Sequence, residues 1–79
     1  MKTIEYYGSH VLVESWVSYV AMDKDRQVYG YESEPFIDED KECWLPQHKA
    51  HNYFIYEVYV PPSKDKVSPI DWEKSLIEV

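Results

Sequence analysis

Two strand-prone runs, Trp16-Val17-Ser18-Tyr19-Val20-Ala21-Met22 and Gln27-Val28-Tyr29-Gly30-Tyr31-Glu32-Ser33, flank the polar stretch Asp23-Lys24-Asp25-Arg26. β-Branched and aromatic runs on either side of a short polar turn are read as an antiparallel hairpin. Placing Met22 opposite Gln27 sets Val20 opposite Tyr29 and lays the Tyr19 ring over Gly30, an aromatic cover for a strand glycine. A one-residue slip is the alternative register. Arg26 is a poor left-handed turn residue, and a bulge there would accommodate it.

The rest of the chain is arranged around this hairpin. Thr3–Tyr7 and His10–Val13 read as short strands separated near Gly8. Asn52–Val60 is apolar or aromatic on both faces, which predicts a central strand or one covered on both sides. Glu34–Gln47 is the longest irregular stretch, with ladder-breaking Pro35 and Pro46 and a charged tip at Asp38–Glu42. Phe36, Cys43, Trp44 and Leu45 are expected to fold back onto the core. At the C-terminal end Ser68 reads as a helix cap, Pro69 as the first helical residue and Asp71 as the capping-box acid. Val67 would staple onto Trp72, and Trp72, Leu76 and Val79 share one helical face. The expected fold is α+β: a small twisted, mostly antiparallel sheet of three to five strands with one C-terminal helix packed on it. Residues 1–79 form a single compact domain on this reading.

Charge bounds the partners. Fifteen acidic residues against eight basic ones give a net charge of −7 over 79 residues. Nucleic-acid affinity comes from Lys and Arg displacing counterions, so direct nucleic-acid binding is not expected. Anionic membranes repel such a chain for the same reason. A protein with a basic surface is the natural electrostatic partner, although the same charge also serves solubility. No run approaches the ~20 apolar residues of a membrane span. Met1–Tyr7 lacks the apolar core of a secretory signal, which points to the cytoplasm.

No pattern argues for an enzyme, a cofactor or a metal. Cys43-x4-His48-x2-His51 offers three zinc-competent groups, with Glu42 or His10 as a fourth, but without the tight paired spacing of structural zinc sites. Asp23-x-Asp25-x-Gln27 with Glu34 imitates a calcium loop, yet Val28 stands where glycine is required and helices do not flank it. Ser9 and His10, adjacent in a strand, point to opposite faces.

The segment Trp16-x-x-Tyr19-Val20-Ala21-x-Asp23-x-Asp25, continuing to Val28-x-Gly30-Tyr31-Glu32-x-x-Pro35, then Trp44 and Asp71-Trp72-x-x-Ser75-Leu76, resembles a group of small phage and prophage proteins. The similarity is strong over Trp16–Pro35, weak in the middle and moderate over the last ten residues. It departs at Arg26, where the group's pattern has glycine. The resemblance implies a phage-encoded accessory protein working in the bacterial host cytoplasm, and it implies no particular chemistry.

Acidic and aromatic residues are juxtaposed along one segment: Glu32, Glu34, Asp38, Glu39, Asp40 and Glu42 surround Phe36 and Trp44. Aromatic anchors inside an acidic rim are a pattern for binding a basic partner. These eight residues are the expected partner-binding site. The expected function is protein–protein binding, as an acidic inhibitor or modulator of a host defence or nucleic-acid-handling protein. The alternative is a structural or assembly accessory forming a homo-oligomer, with a homodimer made through an open sheet edge.

Overall fold

A computed structural model describes residues 1–55, 58 and 71–79. Its central hairpin takes the slipped register. Strands β3 (Tyr19–Met22) and β4 (Val28–Tyr31) pair as Val20↔Gly30 and Met22↔Val28. The turn explains the slip. Arg26 N–H donates to the Asp23 carbonyl at 2.9 Å, and Arg26 itself is left-handed, with φ 73. A type I turn followed by a left-handed residue is the usual three-residue hairpin loop with a bulge. A one-residue slip exchanges faces along a strand. Here it gathers Val20, Met22 and Val28 on one face and Tyr19, Tyr29 and Tyr31 on the other. The ring over Gly30 is therefore that of Tyr53, not Tyr19. A Cβ on Gly30 would sit 3.2 Å from Tyr53 and 3.1 Å from Val17.

Strands β1 (Lys2–Tyr6) and β2 (Ser9–Val13) form a separate two-stranded sheet, closed through Tyr7 and Gly8 at φ 47 and 84. Two successive positive φ values make the turn type that matches strand twist in tight hairpins. Alternation turns Ile4, Tyr6, Val11 and Val13 inward. They meet Val17, Val20, Met22, Val28, Ile55 and Val58 in the main core.

The stretch expected to be irregular is a third hairpin, β5 (Phe36–Asp38) with β6 (Cys43–Leu45). Pro35 and Pro46 stand just outside these strands, so they bound the ladder without interrupting it. This hairpin covers the opposite face of the central sheet, where Trp44 packs with Ala21 and Tyr31. Two hairpins thus enclose a four-stranded sheet ordered β7-β4-β3-β8, with β7 at Asn52–Phe54 and β8 at Ile77–Glu78. Strand β7 is the outer strand on its side, where a central or doubly covered strand was expected. The remainder of the expected Asn52–Val60 strand, apart from Ile55 and Val58, lies outside the described residues.

The expected α+β class with a packed C-terminal helix is overturned. Among the described residues the only helical element is a 3-10 turn at Trp72–Lys74, followed by strand β8. Asp71 is the cap: its carboxylate accepts from the Glu73 N–H at 3.0 Å. Ser68, Pro69 and Val67 lie outside the described residues. The edge of β3 decides the outcome. Ile77 pairs with Val20, and the Val79 N–H donates to the Ser18 carbonyl at 2.8 Å. Such ladder bonds are obligatory for a buried backbone, and an isolated short helix offers no equivalent. No helix among the described residues is long and apolar enough to cross a membrane.

Candidate functional site

The β5–β6 hairpin carries most of the expected partner-binding residues, and it splits them into two kinds. Trp44 belongs to the interior. It is 7% exposed, and its indole N–H donates to the Trp72 carbonyl at 3.2 Å. Phe36, at the base of β5, is 46% exposed. Glu32, Glu34, Glu39, Asp40 and Glu42 are exposed, and Asp38 is half-buried.

Several of these acids have local structural partners. One Asp38 carboxylate oxygen accepts from the N–H groups of Asp40 (3.0 Å) and Lys41 (3.2 Å), which shapes the hairpin tip. Asp side chains commonly stabilise turns in this way. Glu42 is left-handed at φ 55 and pairs with Lys24, tying the tip to the β3–β4 turn. Glu32 and Glu34 are held through their backbones: the Glu32 N–H donates to the His51 carbonyl, and the Glu34 carbonyl accepts from Gln47. The exposed acids free of such fixed roles are Glu39 and Asp40 at the tip, with the side chains of Glu32 and Glu34 behind them.

Asp23, read from the sequence as a turn residue and as part of a rejected calcium-loop pattern, is absent from the expected partner-binding set. Its carboxylate accepts the Trp44 N–H at 2.8 Å, so the turn of one hairpin docks onto a strand of the other. Burial pushes its carboxyl above the ordinary value, opposed by that hydrogen bond and reinforced by Asp25. Asp23 lines two neighbouring clefts. One, of about 400 Å³, is lined by the charged residues Lys24, Asp25, Lys41 and Glu42 together with Cys43. The other, of about 240 Å³, runs between β4, β7 and β6 and includes Tyr29, Leu45, Pro46 and Asn52. At its margin the Phe54 ring packs on Tyr29 with centroids 5.5 Å apart. The alternate tyrosines of β4 were visible in the sequence. Strand alternation alone puts them on one face, and the register decides that this face is shared with Tyr19 and Ala21.

Cys43, His48 and His51 are not assembled into a metal-binding group. Among the described residues no three His, Cys, Asp or Glu side chains converge to hold an ion. His51 packs against Trp16, at 6.0 Å between ring centroids. Burial raises the Cys43 thiol above its ordinary value, as do the nearby Asp23 and Asp38 carboxylates, so the group stays protonated at neutral pH. The Asp23–Gln27 stretch is a turn between strands, not a calcium loop between helices.

Compared with protein-family models, with characterised proteins and with solved structures, the chain matches none.

Proposed function

We propose that the protein acts by binding another protein through the outer surface of the β5–β6 hairpin, and that the partner presents a basic surface. The observation that carries this reading is the division of labour in that hairpin. Buried Trp44 fixes it to the sheet, while exposed Phe36, Glu39 and Asp40 face solvent. A rigidly held surface loses little conformational freedom on binding. The resemblance to small phage proteins supports a bacterial host setting, with an inhibitor or modulator of a defence or nucleic-acid-handling protein as the role.

The test is capture of host proteins at several salt concentrations. The parent is compared with a variant carrying Glu34→Gln, Glu39→Gln and Asp40→Asn. Asp38 and Glu42 are left alone because they hold the tip together. Slower association and a weaker salt dependence in the variant, at unchanged melting temperature, support the reading. The same partner captured at the same rate and salt dependence removes it.

A homo-oligomer is the second reading, and the outer face of the β1–β2 hairpin favours it. Leu12 is 57% exposed there and Tyr7, at its turn, 48%. Light scattering showing a monomer at high concentration removes this alternative.

A further inference from the structure

The groove between β4, β7 and β6 joins three features that the hairpin surface lacks. Its floor carries the half-buried Asp23 carboxylate. Its wall is the Tyr29 ring, extended by Phe54. Its other side is formed by Leu45 and Pro46. The Asp23 carboxylate receives one hydrogen bond, from the Trp44 N–H, and among the described residues no cation pairs with it. Lys24, its sequence neighbour, is engaged by Glu42. Asp25 lies close enough to add negative potential at both Asp23 and Tyr29. A desolvated carboxylate without a counter-charge is costly, and a cation brought to it is held more firmly than at an exposed acid. A planar cation has a further match here, since guanidinium groups stack on tyrosine faces and hydrogen-bond to carboxylates at once.

We infer that this groove is a receptor for an arginine side chain carried on an extended basic segment of the partner protein, its guanidinium meeting Asp23 and lying against Tyr29. The inference rests on the proposal that the protein is a binder, and it deepens that proposal by naming what the partner presents. The site is distinct from the hairpin tip. The tip acids draw a basic partner in, and the groove takes one of its side chains.

The experiment uses the full chain, isotopically labelled, titrated with N-acetyl-arginine amide and followed by amide and ring resonances. Saturable shifts at Asp23, Tyr29, Trp44 and Leu45 are expected. N-acetyl-citrulline amide, which has the same shape without the charge, is expected to bind about two- to fivefold more weakly. Asp23→Asn keeps an acceptor for the Trp44 N–H and is expected to weaken the arginine probe by a similar factor with the melting temperature retained. Tyr29→Leu, a second variant, is expected to weaken it as well. The hairpin variant with Glu34, Glu39 and Asp40 neutralised is expected to bind the probe as the parent does, so failure of the tip and failure of the groove are read separately. Absence of saturable shifts overturns the inference, as does equal binding of the citrulline probe. Tighter binding of free L-arginine than of the blocked residue overturns the protein-borne source.

Discussion

The hydroxyl of Tyr6 donates a 2.8 Å hydrogen bond to the backbone carbonyl of Ser75, joining positions 69 residues apart. The Ser75 side chain completes the junction. Its Oγ accepts the Met22 N–H at 2.8 Å and lies 3.1 Å from the Met22 carbonyl. The β3–β8 pairing, Tyr19↔Glu78 and Val20↔Ile77, would bring Met22 opposite Ser75 if it continued. At that point the Ser75 N–H is already turned to Trp72, within the 3-10 turn. The serine hydroxyl therefore replaces the missing backbone partner and extends the ladder by one step. Ser75→Ala leaves the buried Met22 N–H unpaired and is expected to cost about 1–3 kcal/mol, while Tyr6→Phe orphans a carbonyl at similar cost. Equilibrium urea unfolding of both single variants and the double variant checks this. Because both groups meet at one residue, the double variant should lose less than the sum.

The two glycines should respond to alanine for different reasons. Gly8 has φ +84 and open space where a Cβ would go, so Gly8→Ala meets only the backbone penalty of about 1–2 kcal/mol. Gly30 has ordinary backbone geometry but is overlain by Val17 and Tyr53. Gly30→Ala overpacks the core at about 1–3 kcal/mol. Exchanging Tyr53 for leucine alongside Gly30→Ala should recover part of that loss and should do nothing for Gly8→Ala. Equal recovery at both positions would mean that crowding is not the cause at Gly30.

Trp44 and Phe36 are paired tests of interior against surface on one hairpin. Trp44→Ala is expected to cost about 3–5 kcal/mol, the range for deleting a buried aromatic. Phe36→Ala should change stability by less than about 0.5 kcal/mol, as exposed positions do. Thermal unfolding separates the two. A small effect at Trp44 would contradict its burial between β3 and the 3-10 turn.

Stability should fall with pH in two windows. Burial raises the folded-state carboxyl of Asp23 above its ordinary 3.8, so the folded chain holds that proton to higher pH than the unfolded chain. The unfolded state then binds fewer protons, and stability declines as pH climbs from the ordinary aspartate value through the raised one. Asp23→Asn removes this part of the slope. Burial also raises Tyr6 and Tyr31 above their ordinary value of 10.0. Their contribution is intact below about pH 10 and is lost as pH rises beyond it, because unfolded tyrosine ionises first. Urea midpoints measured from pH 3.5 to 11 check both signs.

Strands β1 and β2 were legible because each buries one face and alternates accordingly, whereas β3 and β4, covered on both faces, were legible from their β-branched and aromatic runs beside a polar turn. Ile4, Tyr6, Val11 and Val13 point inward from residues whose neighbours are polar or exposed. The register of the central hairpin was legible only as a choice between two, since it turns on whether Arg26 adopts a left-handed conformation. The C-terminal segment was misread because two periods coexist there. Trp72 and Leu76 match a helical face, while Ile77 and Val79 alternate as a strand. The unpaired edge of β3, a tertiary fact, selects the strand. The tip acids were legible as a charged loop, but the groove was not. Asp23, Tyr29, Leu45 and Asn52 come from separate segments, brought together only by the packing of β6 over the sheet.

The last prediction concerns that edge. Strand β8 covers the outer side of β3, and the Val79 N–H should be protected from hydrogen exchange by its 2.8 Å bond to Ser18. Deleting Leu76–Val79 removes this cover together with Ile77 and Val79, which pack against the main core. The exposed backbone of Tyr19 and Val20 then offers a template for a second copy. The truncated chain is expected to be less stable and to associate with rising concentration in light scattering. Its far-ultraviolet circular dichroism should show no loss of helical signal, because the segment removed is a strand. If the deletion instead abolishes helical ellipticity, or leaves stability and size unchanged, β8 does not hold the edge of the central sheet.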